Sequence, residues 1–218
     1  MSLDILYEDN HLIAVYKPAG ILVQGDKNGD ISLLALVKKY LKEKYKKPGN
    51  VFVGLVHRLD RPVSGIILFA KTSKGASRLS EQFRDRTIRK IYYAVVEGEI
   101  KPKEGVLRNN LVKQEDIRKS IVSDEGDEAE LYYQTKKYNK NYSFIKVELK
   151  TGRFHQIRAQ FSVAGYPIVG DKKYGSSKVF PDQSICLCST EIEFQKATSS
   201  EIVKLSIPYP KEWEKYFK

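Results

Sequence analysis

The feature that most constrains the fold is a series of strand-like segments in the second half of the chain. Residue types and turn signals predict strands there at 88–97, 105–111, 129–138 and 142–150. Because consecutive strands joined by short turns run in opposite directions, these segments indicate a largely antiparallel sheet. Further strands are predicted at 3–7, 12–17, 51–56, 65–71, 185–194 and 202–207, and helices at 32–46, 74–85 and 211–217. We therefore expect an α+β fold, with helices packed on the sheet.

The run from His57 to Gly65 places a carboxylate between two arginines. Asp60 lies between Arg58 and Arg61, just before Pro62. Proline disfavours a helical residue before it, so Asp60 is predicted to lie on a tight turn that leads into a strand. An ionised carboxylate suits nucleophilic or basic chemistry, and arginines suit phosphate binding. The alternative is an exposed turn with a surface ion pair.

A second informative run covers residues 151–175 and predicts a helix that ends near Gly165. Its apolar face is indicated by Phe154, Ile157, Phe161 and Ala164. The adjoining polar face carries His155, Arg158 and Ser162. From such a helix, Arg158 is placed to reach a carboxylate supplied by another part of the chain. The alternative is a helix with a solvated basic face.

Four separated motifs occur along the chain in a fixed order. They are the runs 13–23 (with Lys-Pro-Ala-Gly), 57–71, 89–98 and 151–175. Together they resemble the pseudouridine synthases typified by the RluA-type enzymes of large-subunit ribosomal RNA and transfer RNA. The resemblance implies one mixed, largely antiparallel central sheet flanked by helices, with the active site in a cleft between two sub-halves. It also implies isomerisation of a specific uridine in structured RNA.

The resemblance assigns roles to particular residues. The family's catalytic aspartate falls on Asp60, its motif tyrosine on Tyr92 and not Tyr93, and its motif arginine on Arg158. Arg58 matches the arginine that fills the space vacated by the flipped base. Predicted RNA contacts are Arg58, Arg61, Arg89, Lys90, Arg153 and His155. Two departures, Val63 where the family often has Thr and Gln160 where it often has His, leave the RNA target open.

Pseudouridine formation breaks the N1–C1′ bond, turns the base and joins C5 to C1′. The reaction involves no redox change, so no metal or cofactor is expected. Asp60 could attack C1′, add to C6 or deprotonate C2′, and Arg158 would hold Asp60 in place. One alternative is a non-catalytic RNA-binding protein, which predicts loss of the motif residues. Another is a glycosidic hydrolase, which usually needs a second carboxylate; Asp171 is interpreted as a structural residue instead.

Composition agrees with an RNA partner. The chain carries 38 Lys and Arg against 27 Asp and Glu, a net charge of +11 that suits a polyanion. The lysines over 38–47, in the helix predicted at 32–46 and its exit, are a candidate for phosphate contact, and the alternative is a solvated charged face. Cys186 and Cys188 are too few for a zinc site and suit reduced thiols. No signal peptide or membrane span is apparent, so we expect a cytoplasmic protein. We also expect a monomer that consists of a single catalytic domain over 1–218, without a separate S4 RNA-binding domain.

Overall fold

The structure is a computed structural model that describes residues 3–25 and 31–218. These residues form three α-helices: α1 (Leu33–Lys44), α2 (Ser73–Arg84) and α3 (Gln156–Val163). They also form eleven strands: β1 (Ile5–Glu8), β2 (Leu12–Lys17), β3 (Gly54–Leu55), β4 (Ser64–Ala70), β5 (Arg89–Glu97), β6 (Glu104–Gln114), β7 (Lys119–Val122), β8 (Asp127–Tyr138), β9 (Tyr142–Leu149), β10 (Leu187–Gln195) and β11 (Ile202–Ser206). Two 3₁₀ helices cover Lys172–Tyr174 and Lys211–Phe217. The chain divides into two compact units.

The first unit comprises the chain up to Ile88 together with Glu191–Ile207. Within it, β2 pairs with β1 and β4, β3 pairs with β4, and β10 pairs with β11, all antiparallel. Its core combines alternate residues of β2 and β4 with apolar residues of α2 and β10, including Leu12, Leu68, Leu79 and Phe194. Gly75 lets α2 approach this layer closely, because a β-carbon there would lie 2.6 Å from the carbonyl oxygen of His11.

Both helices of the first unit begin at side-chain caps. Ser32 accepts a hydrogen bond from the Ala35 amide, and Thr72 accepts one from the Gly75 amide. In α1, Leu33, Val37 and Leu41 recur every four residues and are buried, which makes the helix amphipathic. The lysines of α1 lie on its exposed side. The helix predicted to residue 46 ends at Lys44 instead, and Lys46 has a left-handed backbone (φ 48°).

The second unit comprises Arg89–Thr190 and Pro208–Lys218. Its sheet has the strand order β5-β9-β8-β6-β7, and each neighbouring pair is antiparallel. The predicted antiparallel sheet and the α+β class are therefore confirmed. The sequence did not predict β7, and the strand predicted at 51–56 is reduced to the two residues of β3. Both cysteines are buried and carry free thiols.

The helix predicted from Phe154 begins only at Gln156, with His155 as its N-cap residue in the left-handed region (φ 50°). The terminal helix is present over the expected residues, but as a 3₁₀ helix. It buries Trp213. Among the described residues, no helix is long and apolar enough to cross a membrane.

Candidate active site

Asp60 lies at the start of a tight turn that leads directly into β4. The Val63 amide donates to the Asp60 carbonyl oxygen at 3.1 Å, and β4 begins at the next residue. Leu59 is buried beside the turn, whereas Arg58 and Arg61 are exposed and Asp60 is half-buried. The predicted turn into a strand is confirmed. The turn holds the Asp60 side chain at the rim of a rigid strand, which suits a reacting group.

Beneath this turn lies Lys17, whose side chain is fully buried. Its ammonium donates to the carbonyl oxygens of Val63 at 2.6 Å, Arg61 at 3.1 Å and Pro18 at 3.1 Å. An ammonium carries three N–H donors, so each has one carbonyl acceptor. Burial lowers the pKa of Lys17 to about 7, while the Asp60 carboxylate acts in the opposite direction and favours the charged form. Lys17 therefore ties together the turn that presents Asp60.

The Lys-Pro-Ala-Gly segment also binds the turn through its glycine. The Gly20 amide donates to the Arg61 carbonyl at 2.8 Å, and Arg61 Nε donates to the Gly20 carbonyl at 2.9 Å. Gly20 has φ +88°, a conformation that favours glycine. The first and second sequence motifs thus form one interlocked structure. The sequence alone did not lead us to assign Lys17 a role in the site. Its position as a charged residue at the end of an apolar strand could have indicated one.

His57 anchors the beginning of the His-Arg-Leu-Asp motif. Its Nε2 accepts a hydrogen bond from the Leu68 amide of β4 at 2.9 Å. The imidazole also stacks on Phe83 of α2, with ring centroids 4.8 Å apart. Because the amide can only donate, the Nε2 atom acts as an acceptor and carries no proton. His57 is therefore a structural anchor for the segment that carries Arg58 and Asp60.

Tyr92 lies on β5 in the second unit and is buried, with 8% of its surface exposed. It pairs in register with Val147 of β9. Tyr93 points to the opposite face of the strand, where its ring stacks on Phe144 at 5.2 Å between centroids. The two adjacent tyrosines therefore have different surroundings. The family role expected of Tyr92 stays a prediction.

Arg158 forms a buried bidentate ion pair with Asp171. Arg158 Nε donates to Asp171 Oδ2 at 2.7 Å and Arg158 Nη2 donates to Oδ1 at 2.9 Å. Only 6% and 1% of the two side chains are exposed. Arg158 thus reaches a carboxylate supplied by another part of the chain, as predicted, and the alternative of a solvated basic face is wrong for this residue, because Arg158 is buried. The expectation that Asp171 is structural agrees with this pairing, and the role of Arg158 towards Asp60 stays a prediction.

Gln160, which stands where the family often has His, fills a buried polar position of α3. Its amide nitrogen lies 3.0 Å from the Leu107 carbonyl and 3.1 Å from the Ala129 carbonyl. Gln156 donates to its amide oxygen at 3.1 Å. These contacts tie α3 to β6 and β8, so Gln160 supports the helix instead of facing a ligand.

The remaining predicted RNA contacts of the second unit already have protein partners. Arg89 is exposed on β5 and pairs with Glu148 at 3.0 Å. Lys90, the next residue, is half-buried. Arg153 donates from Nε to the Glu128 carbonyl at 2.9 Å, and His155 Nδ1 lies 2.9 Å from the Tyr174 hydroxyl. The predicted contacts thus divide between the units, with Arg58 and Arg61 in the first.

Comparisons with known proteins agree with the motifs. Residues 11–163 match the family model described as RNA pseudouridylate synthase. The chain is 36% identical, over 79% of its length and 54% of the relative's, to ribosomal large subunit pseudouridine synthase C of Buchnera aphidicola. It is 32% identical, over 96% of its length and 69% of the relative's, to an uncharacterized RNA pseudouridine synthase of Bacillus subtilis. The chain thus spans between about half and about two thirds of the length of these relatives.

Solved structures show the same fold. Human RNA pseudouridylate synthase domain containing 4 matches with a TM-score of 0.80 at 21% identity, over 96% of this chain and 90% of that one. Human RNA pseudouridylate synthase domain containing 1 matches with a TM-score of 0.76 at 20% identity, over 95% and 83%. The family model, the relatives and the RluA-type motifs agree over most of the chain, so this protein belongs to the RNA pseudouridylate synthase family.

Proposed function

We propose that this protein isomerises a specific uridine of a structured RNA to pseudouridine, with Asp60 as the reacting carboxylate. The observation that carries the proposal is the Asp60 turn, which is bound from below by the buried ammonium of Lys17. A surface turn with only a solvated ion pair needs no buried cation on its carbonyls. Such a cation is costly to bury, so its presence supports a role that requires the turn to be fixed.

The chemistry requires a flipped base and a positioned carboxylate. Extrusion of the target base costs a few kcal/mol, which contacts to the protein must offset. Arg58 is exposed next to Asp60 and is suited to occupy the space that the base leaves. On the second unit, Tyr92 offers a ring face for stacking and a hydroxyl for removal of the C5 proton. Attack at C1′, addition at C6 and deprotonation at C2′ are each compatible with one carboxylate.

Arg158 is proposed to orient Asp60 in the reaction. The support is its buried bidentate pair with Asp171, which holds the guanidinium plane in one orientation. A planar, preorganised donor loses less conformational entropy than a mobile one when it binds a second group. Asp171 would then act on the reaction only through Arg158.

The proposed RNA target is large-subunit ribosomal RNA, with transfer RNA as the alternative. The support is the similarity to the Buchnera relative, which is named a ribosomal large subunit pseudouridine synthase. The net charge of +11 suits either polyanion. Chemical mapping of pseudouridines in RNA from cells with and without the gene distinguishes the two. Loss of a modification only from transfer RNA would replace the ribosomal target.

The assay for the function is tritium release from RNA that carries 5-tritiated uridine. The wild-type protein should release tritium and leave pseudouridine in the RNA, whereas Asp60→Asn should bind the RNA without turnover. The control is Asp116→Asn, at an exposed aspartate outside the motifs, which should keep wild-type activity. Free uracil as the product would indicate a hydrolase, and RNA binding without turnover by the wild type would indicate a binding protein.

We further propose that the protein works as a monomer in the cytoplasm. The two buried free thiols, Cys186 and Cys188, suit a reducing compartment. Light scattering after size exclusion should give a mass near 25.0 kDa for the 218-residue chain. A mass twice as large would contradict the proposed monomer and leave the activity assay unaffected.

A further inference from the structure

The carboxylate of Glu8, at the end of β1, is surrounded by lysines and tyrosines of the first unit. Its hydrogen-bond donors are Lys71 Nζ at 2.6 Å, the Tyr45 hydroxyl at 2.7 Å, Lys44 Nζ at 2.7 Å and the Tyr40 hydroxyl at 2.9 Å. Burial opposes ionisation of Glu8, but these hydrogen bonds outweigh it and lower the pKa of the carboxyl to about 2. An ionised Glu8 therefore joins the last turn of α1 to β1 and to the residue that follows β4.

Tyr45, the C-cap residue of α1, is held by its hydroxyl while its ring stays accessible. The hydroxyl donates to Glu8 at 2.7 Å and accepts from Lys71 Nζ at 3.1 Å. Even so, 47% of the surface of Tyr45 is exposed. Because the side chain is already oriented, a ligand that contacts the ring pays little of the usual cost of ordering it. Tyr45 thus presents a preorganised aromatic surface at the end of the helix.

The ring of Tyr45 is bordered by positive charge. Among the described residues, three ammoniums lie within 6 Å of its centre: those of Lys71 at 4.8 Å, Lys44 at 5.6 Å and Lys47 at 5.9 Å. Together they outnumber the Glu8 carboxylate, so an excess of positive charge remains. The side chain of Lys44 is 44% exposed and Lys47 is exposed as well. An exposed aromatic ring with ammoniums at its edge suits single-stranded nucleic acid, in which bases stack on aromatic rings and phosphates contact cations.

We propose that Tyr45, Lys44 and Lys47 form a docking surface for an unpaired nucleotide of the substrate RNA. The base stacks on the Tyr45 ring, and the neighbouring phosphates contact the two ammoniums. The proposal rests on the proposed function, because it assigns a second contact with the same RNA. The nucleotide is unpaired because a base inside a helix already stacks on its neighbours. Glu8 and Lys71 are positioning residues that act by holding Tyr45.

Binding to two fluorescein-labelled oligonucleotides of equal length tests the stacking. One is oligouridylate, and the other is an abasic analogue with the same phosphates and no bases. Tyr45→Leu removes the ring and keeps an apolar side chain. It should weaken binding to oligouridylate at least about fivefold and leave binding to the abasic analogue nearly unchanged. An equal loss with both oligonucleotides, or none with oligouridylate, would overturn the stacking contact.

Tyr138→Leu is the matched control, at an exposed tyrosine of the second unit. Tyr138 is 55% exposed, and the ammonium of Lys103 lies 3.1 Å from its ring centre. It therefore has exposure and a lysine contact similar to those of Tyr45. Affinity for oligouridylate should stay at the wild-type value. If Tyr138→Leu weakens binding as much as Tyr45→Leu, the assignment of the docking surface to Tyr45 is wrong.

Two milder variants separate the ring, its hydroxyl and the charge. Tyr45→Phe keeps the ring and loses the hydroxyl, so it should weaken oligouridylate binding less than Tyr45→Leu. Lys47→Gln should weaken binding to oligouridylate and to the abasic analogue alike, and should flatten the slope of log Kd against log salt by about 0.7. An unchanged slope would contradict the phosphate contact. Circular dichroism of each variant confirms that the comparison is between folded proteins.

Steady-state tritium release distinguishes the docking surface from the catalytic site. Tyr45→Leu should raise KM and leave kcat unchanged, because the surface holds RNA without touching the reacting uridine. A lower kcat at unchanged KM would contradict the proposal. If the wild type shows the expected binding differences but releases no tritium, the proposed function fails and the docking surface stands. If the wild type releases tritium and Tyr45→Leu keeps wild-type affinity and KM, only the docking surface fails.

Discussion

The Asp60 turn and the beginning of α3 are each held by a buried cation, but the two cations have different partners. Lys17 faces three backbone carbonyls, whereas Arg158 faces the side chain of Asp171. A carbonyl acceptor exists at every residue, so the Lys17 arrangement depends on backbone conformation and barely on the identity of its neighbours. The Arg158 arrangement requires one particular carboxylate, 13 positions further along the chain.

This difference has consequences for how each region fails. Loss of Lys17 removes one donor from each of three neutral carbonyls, of which that of Arg61 keeps the Gly20 amide, and the turn can relax towards water. Loss of Asp171 leaves a buried guanidinium whose described carboxylate partner is gone, and a buried charge is costlier than a buried carbonyl. The region held by the ion pair should therefore be more sensitive to a single substitution than the region held by carbonyls.

The largest effect is expected from Asp171→Asn. Asparagine has the same shape, but it removes the charge and turns an N–H₂ group towards the donors of Arg158. Breaking a buried ion pair from one side should lower the free energy of unfolding by about 3–5 kcal/mol, measured by urea denaturation. The tritium-release rate should fall as well.

A double variant is the control for this prediction. Arg158→Met combined with Asp171→Leu removes both charges and should recover much of the lost stability, without recovering activity. If Asp171→Asn alone leaves stability unchanged, the ion pair contributes nothing net and the proposed contrast with Lys17 is wrong.

A smaller loss is expected for Lys17→Met, which keeps the aliphatic length and removes the ammonium. Three carbonyls, of which that of Val63 is buried, then lose a donor, and the turn can partly recover hydration, so we expect a loss of about 2–4 kcal/mol in the free energy of unfolding. Lys38→Met, at an exposed position of α1, is the matched control and should change stability little. Equal loss in the two variants would mean that the carbonyl contacts of Lys17 do not stabilise the turn.

The two regions should also respond to pH in separate windows. The folded pKa of Lys17, about 7, is below its ordinary 10.5, so the unfolded chain binds more protons between these values. The free energy of unfolding should therefore rise with pH across this window, and Lys17→Met should lack that rise. For His155 the pKa falls from 6.5 to about 3, so stability should decrease as the pH falls through that range.

These slopes are obtained as differences between the wild type and each variant, since other groups titrate in both windows. The curves of unfolding free energy against pH for the wild type and Lys17→Met should diverge only above pH 7. Those of wild type and His155→Ala should diverge only below about pH 6.5. Parallel curves would mean that the cited groups have ordinary pKa values in the folded protein.

The smallest effect on stability is expected on α1, where exposed lysines have no part in either region. Changing Lys38, Lys39 and Lys42 to Gln should leave unfolding nearly unchanged. If the helix binds RNA, the slope of log Kd against log salt should flatten by about 0.7–0.9 for each phosphate that these lysines neutralise in the wild type. An unchanged salt slope, measured by fluorescence titration with RNA, would show that the helix is only solvated.

The sequence predicted most of the fold because its strands and caps are local features. The continuous run of aliphatic and aromatic residues in β5, the four-residue spacing of Leu33, Val37 and Leu41, and the caps that the structure shows at Ser32 and Thr72 all act over a few residues. The sequence was less informative where a distant contact decides the structure. Helix α3 begins at Gln156 because His155 before it has a left-handed backbone and contacts Tyr174, 19 positions away, and Arg158 is buried because it pairs with Asp171, 13 positions away.

The sequence by itself determined the motifs, their order, the family and the turn at Asp60. Only the tertiary structure showed that Lys17 binds that turn and that Tyr174 and Asp171 fix His155 and Arg158. The physical reason is that a motif records which groups are present, whereas a hydrogen bond depends on their separation and direction to within a few tenths of an ångström. That geometry is set by how β2, β4 and α3 pack, which no short stretch of sequence specifies.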